Sequence, residues 1–311
     1  MRILLFFVII HKVFSYPKWF HNYKLKHGKT YTPEQEYHAY NILYPKKYHI
    51  DNSKYDNLVL ELNEHSDKNR SFINKHIERR RHAYRKTYNV KHKLHSPESF
   101  DWRTHNYVTT PLVQGTCGGC FAFAAVGHLE FWYKKKTGRI RPLSVQQALD
   151  CSGPESEACD GGLMEDVYYH SYYNPTGPVE FDTWKGEKRA CKHRHSHPFV
   201  KVHSYVSMSD EYNDPIEAHL AKNILAYGPI PVAVDSTSKQ FELYHSGILT
   251  KEHCGSEVDH AVLVVGFTPE YWIVKNSWGP HWGQNGYIYI ERGRNACGIN
   301  SYSSFATSVS I

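Results

Sequence analysis

The sequence lacks long hydrophobic runs. Its most apolar segment, Ile3–Ile10, has eight residues and follows a single positive charge at Arg2. A membrane-spanning helix needs about 20 apolar residues, so this run is too short, and no other segment approaches that length. Small residues at Val13–Ser15 offer a cleavage point, which predicts a signal peptide over residues 1–15. We therefore expect entry into the secretory pathway, towards the lysosome or the outside of the cell, without membrane insertion.

Cysteine pairs of the zinc-binding kind are also scarce. The chain has 7 cysteines and 22 histidines, but no second Cys-x-x-Cys and no compact histidine pair completes a zinc site around Cys117–Cys120. The histidines of the run Lys192–His197 alternate along the chain, and alternate positions of an extended run point to opposite sides, so a solvated loop is predicted there. We expect no metal and no cofactor. In a secreted chain, the odd cysteine count predicts disulfides plus one thiol outside them.

The stretch Gln114–Ala125 combines two cysteines, three glycines and the start of an apolar run. Apolar residues recur at helical spacing from Phe121 to Trp132, and three lysines precede Gly138, which predicts a helix beginning near Cys120. A thiolate at the positive end of a helix is stabilised. Three roles for the cysteines stay open at this point: a disulfide, a metal site, or a nucleophile that needs a distant histidine and an orienting group.

Such partners follow at the ends of two predicted strands. His260 stands at the mouth of the Val-rich run 261–267, and Asn276 ends the run 272–275, at 140 and 156 residues after Cys120. The runs 228–235 and 286–290 are also predicted to be strands, because they are apolar, β-branched or aromatic, and bounded by turn residues. The cysteine, histidine and asparagine therefore have the separations of a known class of thiol enzyme.

With these motifs, the chain resembles the papain family of cysteine peptidases, and within it the cathepsin O group, closely from Pro97 onward and loosely before it. Further matching stretches are Ser144–Gln147, Tyr271–Val274 and Cys297–Ile299. The resemblance implies a papain-like α+β fold of two lobes, a helical one at about 97–203 and a β-barrel-like one at about 204–311, preceded by a mostly helical pro-segment.

The resemblance also implies a catalytic arrangement for an endopeptidase. Cys120 would be the nucleophile, His260 would share its proton, and Asn276 would orient the imidazole. Gln114 and the backbone N–H of Cys120 would form the oxyanion hole, and Trp278 would shield the bond between histidine and asparagine. Family pairing would place disulfides at Cys117–Cys159, Cys151–Cys191 and Cys254–Cys297, although sequence alone leaves other pairings open.

Substrate-binding residues follow from the same resemblance. By position they would be Gly161, Gly162, Leu163, Met164, Ala233, Val258, Asp259 and Tyr302. Tyr302 falls at the floor of the pocket for the side chain two residues before the cut, so we expect a shortened pocket that favours small or medium apolar side chains. Phe121 stands where most relatives have tryptophan, which keeps an aromatic ring but removes an indole N–H.

Residues 16–95 are expected to be an inhibitory pro-segment of a mature peptidase domain at 96–311. A helix is predicted from Pro33, but Pro45 is expected to break or kink it. Glu36 fits the family's pro-segment helix, and Asn63–Asp67 keeps part of a second family motif. Asn69 begins a glycosylation sequon and is equally consistent with an unmodified loop.

The charge is split along the chain. Residues 1–95 carry +11 and residues 96–311 carry −5, which together give the net +6. A basic leading segment could bind nucleic acid, but the family resemblance favours a basic pro-segment lying on an acidic enzyme, with attraction that weakens on acidification. The expected partners are peptide and protein substrates, the chain's own pro-segment and cystatin-like inhibitors, with no nucleic acid, and the protein is expected to be a monomer. The rival interpretation is a non-catalytic secreted binding protein on the same scaffold.

Overall fold

The computed structural model describes residues 16–68, 97–153, 156–192, 200–209 and 216–311, and its central element is the helix α3 (Cys120–Thr137). Most of α3 is buried on all sides, as is typical of a helix inside a core. The helix ends at Gly138, whose φ of 74° is left-handed and whose N–H donates to Lys134 O at 2.8 Å. The predicted helix is therefore confirmed at both ends.

Two shorter helices pack beside α3. α4 (Val145–Cys151) begins where the Ser144 hydroxyl accepts a hydrogen bond from Gln147 N at 3.0 Å. α5 (Met164–Ser171) follows the turn that contains the paired glycines 161 and 162. The three helices share one buried apolar cluster. They form the helical part of the molecule.

An antiparallel sheet forms the other part. Its strands lie in the order β3 (Lys201–Ser209), β9 (Tyr302–Ser310), β4 (Ile230–Val234), β6 (His260–Phe267), β7 (Tyr271–Lys275) and β8 (Tyr287–Glu291), and β2 (Phe100–Asp101) pairs with β6. Two helices, α6 (Ile216–Tyr227) and α7 (Lys239–Glu242), complete this part. The predicted strands match β4, β6, β7 and β8. The lobe boundary expected near residue 203 falls inside β3, which pairs along its length with β9.

Residues 16–68, here called the leading segment, pack against the rest of the chain. They form α1 (Lys18–Lys26), α2 (Pro33–Asn52) and β1 (Leu58–Leu60), and β1 pairs antiparallel with β5 (Tyr244–Gly247). Phe20 and Leu43 of the helices share a buried cluster with Leu243. A strand pair and an apolar cluster therefore attach the leading segment to the sheet part.

Pro45 does not break α2, which continues to Asn52. Proline removes one backbone hydrogen bond from a helix interior. Tertiary contacts on both sides outweigh that loss, because Leu43 is fully buried and Lys46 Nζ lies 2.6 Å from Glu242 Oε1. Of the expected break or kink at Pro45, the break does not occur.

Several predicted features lie outside the described residues: the signal peptide at 1–15, Asn69, the histidine run after Lys192 and the boundary at residues 95 and 96 between the expected pro-segment and mature domain. Within the described ranges, no helix has both the length and the apolar character needed to cross a bilayer.

Candidate active site

Cys120 is the first residue of α3, and its thiol takes part in no disulfide. The disulfides join Cys117 to Cys159, Cys151 to Cys191 and Cys254 to Cys297, which are the pairs that the family resemblance implies. The Cys120 sulfur is therefore a thiol that can ionise, and it lies at the N-terminal end of a long buried helix, where a thiolate is stabilised.

The turn before α3 is fixed by close backbone contact. Gly118 N donates to Cys159 O at 2.7 Å, and a Cβ on Gly118 would lie 2.5 Å from the same oxygen. Only glycine fits such an approach. The disulfide between Cys117 and Cys159 holds the same two segments together. These contacts set the position of the first turn of α3 and therefore of Cys120.

The sulfur of Cys120 lies beside the start of β6. Ala261 N donates to Cys120 Sγ at 3.4 Å, and His260 is the residue directly before Ala261. Both side chains are buried, with 0% of Cys120 and 3% of His260 exposed. The fold thus brings the predicted cysteine and the predicted histidine to one place, where the central helix meets the sheet.

The imidazole of His260 is oriented by the end of the next strand. Its Nε2 donates to Asn276 Oδ1 at 2.8 Å. Asn276 Oδ1 also accepts from Ser277 N at 2.8 Å, which fixes the carboxamide. Because Nε2 is engaged with the asparagine, Nδ1 is the nitrogen available to exchange a proton with a neighbour.

Aromatic side chains enclose this hydrogen bond. The Trp278 ring lies 5.2 Å from the His260 ring at an angle of 31°, and Phe241 meets the imidazole edge-on at 6.3 Å. Trp282 packs 5.1 Å from Trp278. Excluding water from a polar contact strengthens it. The sequence points to Trp278 but not to Phe241, which lies in the four-residue helix α7 and carries no motif.

Gln114 is anchored through its side chain and its backbone. Its Nε2 donates to Cys117 O at 2.9 Å, and its Oε1 accepts from Ser277 Oγ at 2.5 Å. Its backbone N donates to Ser277 O at 2.8 Å, and its backbone O accepts from Trp184 Nε1 at 3.2 Å. The Gln114 amide is therefore held between the turn that leads to Cys120 and the loop after β7. Ser277 and Trp184 are supporting residues that the sequence does not reveal.

Comparison with known proteins identifies the family. Residues 96–307 match the family described as papain family cysteine protease. The chain belongs to this family. It is 31% identical to cathepsin 7 of Mus musculus over 304 residues, which cover 91% of this chain and 90% of the relative. It is 32% identical to cathepsin J of Mus musculus over 308 residues, with 91% and 90% coverage.

Solved structures of precursor forms are also similar to this papain-family chain. Procathepsin L 3 from the larval midgut of Tenebrio molitor has a TM-score of 0.82 and 26% identity, covering 93% of this chain and 98% of that one. A stem bromelain precursor has a TM-score of 0.78 and 28% identity, with 93% and 98% coverage. The papain-like α+β fold with a pro-segment is confirmed, and the protein is a cysteine peptidase. The narrower likeness to the cathepsin O group stays a resemblance.

The predicted substrate-binding residues lie around one buried cluster of this papain-family core. That cluster contains Cys120 together with Leu163, Met164, Ala233, Val258 and Tyr302. Gly161 and Gly162 precede these residues on the helical side, and a Cβ on Gly162 would lie 2.7 Å from the Phe121 ring. The ring of Phe121 therefore fills the space that the second glycine leaves.

Asp259 is used structurally. Its carboxylate accepts hydrogen bonds from Ser236 N at 2.7 Å and Ser236 Oγ at 2.9 Å. Its backbone N donates to Val234 O at 3.0 Å. The carboxylate thus fixes the turn before His260, and the substrate-binding role expected of Asp259 stays a prediction.

The leading segment reaches the aromatic enclosure of the papain-family site. His65 Nε2 donates to Trp278 O at 2.9 Å. Asn63 Nδ2 donates to Glu242 O at 2.9 Å, one residue after Phe241. The partial motif around these residues is recognisable in the sequence, but the contact of His65 is not, because its partner is 213 residues away in the chain.

Proposed function

We propose that this protein is a cysteine endopeptidase made as a zymogen, in which residues 16–95 inhibit the mature domain 96–311 until acid pH promotes their removal. The observation that carries the proposal is the convergence of Cys120 Sγ with the start of β6, where His260 is oriented by Asn276 at 2.8 Å. A thiol at a helix N-terminus beside an oriented imidazole is the arrangement that nucleophilic catalysis needs.

The first half of the reaction forms an acyl-enzyme. The Cys120 proton passes to His260 Nδ1, and the thiolate attacks the substrate carbonyl carbon to give a tetrahedral intermediate. The C–N bond then breaks, the proton moves from the imidazole to the leaving amine, and a thioester remains on Cys120. In the second half, His260 takes a proton from water, the hydroxide attacks the thioester, and the carboxylic product leaves as the thiol reforms.

The oxyanion of each tetrahedral intermediate needs hydrogen-bond donors. The backbone N–H of Cys120 is proposed as one donor, because it lies in the first turn of α3, where the N–H groups point out of the N-terminal end of the helix. The Gln114 carboxamide carries two N–H bonds, and the bond to Cys117 O uses one of them. The second N–H is proposed to complete the hole.

Cleavage in the interior of a substrate chain is favoured over removal of residues from its ends. The segment between Cys151 and Cys159 has only seven residues, so it carries no long insertion that would close one end of a substrate groove. Peptide and protein substrates can then extend on both sides of Cys120. Cystatin-like inhibitors, which act on enzymes of this family, would compete for the same groove.

The zymogen proposal draws on the attachment of the leading segment beside the site, through the β1–β5 pair and the bond from His65 to Trp278. Three disulfides suit the secretory pathway, with the lysosome or the extracellular space as its end. The protein is proposed to act as a monomer. Removal of residues 16–95 would uncover the substrate groove.

The test uses the full-length zymogen and its Cys120→Ser variant. Both are purified, incubated at about pH 5, and assayed with a thiol-directed epoxide probe and an internally quenched peptide that is blocked at both ends. We expect probe labelling and internal cleavage by the wild-type protein and neither by the variant. Exopeptidase action would leave the blocked peptide intact.

The same assay separates the rival interpretation of a non-catalytic binding protein. A binding protein would keep its fold and bind peptides with equal affinity in both forms, without labelling or cleavage. That result, with a folded wild-type protein, would refute the catalytic proposal.

A further inference from the structure

Trp184 contacts the surroundings of Cys120 at several points. Its indole Nε1 donates to Gln114 O at 3.2 Å. The opposite edge of the same ring lies against Gly119, where an added Cβ would be 3.1 Å from Trp184 Cη2. The ring of Phe123, in the first turn of α3, meets the indole edge-on at 4.7 Å between centroids. One half-buried side chain therefore contacts both Gln114, whose carboxamide is a proposed oxyanion donor, and the residue directly before the nucleophile.

The loop that carries Trp184 is held by buried side chains at the start of α4. Gln146 Oε1 accepts from Lys185 N at 2.8 Å, directly after the tryptophan. Ser144 Oγ donates to Asp182 O at 2.5 Å, two residues before it. Gln146 and Ser144 are both 0% exposed, so these bonds are shielded from water and strengthened. The backbone on both sides of Trp184 is therefore fixed, and so is the position from which the indole reaches Gln114.

The peptide bond after Gln114 benefits from this contact, because the next residue restrains it little. That residue is Gly115, whose φ is +71°, and glycine tolerates many backbone conformations. Among the described residues other than its two chain neighbours, none has an atom within 4 Å of a Cβ added to Gly115. The hydrogen bond from Trp184 therefore supplies a restraint on the Gln114 carbonyl that packing at Gly115 does not. An oxyanion donor must end about 2.7–3.1 Å from the charged oxygen, so small rotations of the Gln114 backbone affect it.

We propose that Trp184 is a positioning residue of the oxyanion hole: by fixing Gln114 O and supporting the backbone at Gly119, it sets the spacing between the two proposed donors, the Gln114 carboxamide and the N–H of Cys120. This inference rests on the proposed peptidase function. Trp184 acts through these neighbours and not by touching the reacting atoms. The oxyanion exists only after the thiolate has attacked, so a displaced donor weakens transition-state binding more than substrate binding. Loss of the Trp184 bond should therefore lower kcat and leave KM nearly unchanged.

The test is a double-mutant cycle between Trp184→Phe and Gln114→Ala. Phenylalanine keeps an aromatic ring beside Gly119 and removes the N–H. kcat and KM are measured for each matured enzyme with one fluorogenic peptide, and epoxide titration counts the active sites. We expect Trp184→Phe to lower kcat by roughly three- to tenfold, the size of one lost hydrogen bond, with KM within about twofold of the wild type. In the Gln114→Ala background the same change should have almost no effect, because the donor that Trp184 positions is already absent.

A transition-state analogue separates positioning from general damage to the site. When a peptide aldehyde adds to Cys120, an S–C bond forms, and the carbonyl oxygen, which takes up the thiol proton, lies where the oxyanion would develop. The inhibition constant of the aldehyde should rise in Trp184→Phe by the same factor as kcat falls. Alkylation of Cys120 by iodoacetamide displaces iodide without developing an oxyanion, so its rate should stay at the wild-type value.

Trp102→Phe is the matched control. Trp102 is also half-buried, and its Nε1 donates to a backbone carbonyl, Ile224 O, at 2.9 Å. Its ring packs against Phe131, further along α3. This variant loses the same kind of bond outside the proposed oxyanion hole, so it should keep the wild-type kcat and the wild-type inhibition by the aldehyde.

The outcomes separate this inference from the proposed function. Cys120-dependent cleavage with an unchanged kcat in Trp184→Phe, or with an equal loss in the presence and absence of Gln114, would overturn the role of Trp184 and leave the peptidase intact. Alkylation slowed as much as kcat would do the same, since it would show damage to the thiolate itself. Absence of any cleavage or labelling by the wild-type protein would overturn both.

Discussion

The orientation of one imidazole is the most demanding requirement at the scale of residues. In the proposed mechanism, His260 exchanges a proton with Cys120 through Nδ1, while Asn276 Oδ1 holds Nε2 at 2.8 Å in a buried setting. Loss of such a buried bond costs about 1–3 kcal/mol. We therefore expect Asn276→Ala to lower kcat/KM by about tenfold to hundredfold, with a smaller effect on KM, measured on epoxide-titrated enzyme.

Asn276→Asp is the matched control for this prediction. The carboxylate keeps an acceptor for Nε2–H and nearly the same shape, so it should retain more activity than alanine. Activity of Asn276→Ala equal to that of the wild type would show that packing against Trp278, at 5.2 Å from the imidazole, suffices to orient the ring.

Gln114 leads to a second prediction at this scale. Removing one oxyanion donor costs about 10²–10³ in kcat in enzymes of comparable chemistry, so Gln114→Ala should lose that much. Ser277→Ala removes only the 2.5 Å bond to Gln114 Oε1 and leaves the donor in place. Its loss in kcat should be clearly smaller, and an equal or larger loss would argue that Gln114 serves the fold rather than the oxyanion.

The sequence predicts residues of this site unequally, for a physical reason. Cys120, His260 and Asn276 carry rare chemistry at characteristic separations, so a pattern finds them. Phe241 and Ser277 are common residues whose importance arises only from the contacts they make in three dimensions, and no local signal separates them from other phenylalanines and serines.

At the scale of elements, the attachment of the leading segment depends on the close approach of β1 to β5. Gly247 of β5 has φ of +97°, and a Cβ there would lie 1.9 Å from Asn57 O. Glycine is therefore needed for the two strands to meet. His65, a few residues after β1, then reaches Trp278 O.

His65 makes this attachment sensitive to pH. Burial is the main cause that lowers the pKa of His65 in the attached state; nearby Lys68 and Lys29 lower it too, while the bond to Trp278 O and the charge of Glu64 raise it. The released segment has an ordinary histidine pKa of about 6.5 and so binds more protons. The contribution of His65 to attachment is complete above that value and is lost as pH falls from there through the lowered pKa of the attached state. Acid should therefore loosen the segment.

His65→Gln tests this, because glutamine keeps an N–H for Trp278 O but does not titrate. We expect the ratio of maturation rates at about pH 5 and about pH 7 to be smaller in this variant than in the wild type, as followed by the loss of the precursor band. A variant at His38, on the outer part of α2, serves as the control for removing a histidine. An unchanged ratio in His65→Gln would assign acid sensitivity to other groups.

How well a strand or helix can be predicted from the sequence depends on how deeply it is buried. The Val-rich strands β4 and β6 are recognisable because buried strands are apolar and β-branched. β3 and β9 escape prediction because their serines pair with each other, as Ser207 Oγ does with Ser304 Oγ at 3.0 Å, and a serine-rich run has the composition of a loop. Likewise, α2 continues beyond Pro45 because of tertiary contacts, which the local sequence does not reveal.

For the whole molecule, the relevant quantity is the charge split between the two parts of the zymogen: residues 16–95, without the predicted signal peptide, carry +9, and residues 96–311 carry −5. Lys46 pairs with Glu242 at 2.6 Å across the two parts, and both side chains are largely buried, at 13% and 17% exposed. Buried pairs are screened little by salt, whereas exposed charges further apart than about 8 Å are screened at physiological ionic strength. Changing the salt concentration can therefore distinguish the contribution of long-range attraction from that of the buried Lys46–Glu242 pair.

We expect maturation to become faster when the ionic strength rises from about 0.05 M to about 0.5 M, since salt weakens the long-range attraction between the two parts. Lys46→Gln should raise the rate at every ionic strength, because it leaves the Glu242 carboxylate without its buried partner, yet it should keep most of the dependence on salt. The rates are measured on the full zymogen at constant pH, with epoxide titration of the enzyme released. A wild-type rate independent of salt would mean that the β1–β5 pair and the apolar cluster around Leu43 hold the segment without help from net charge.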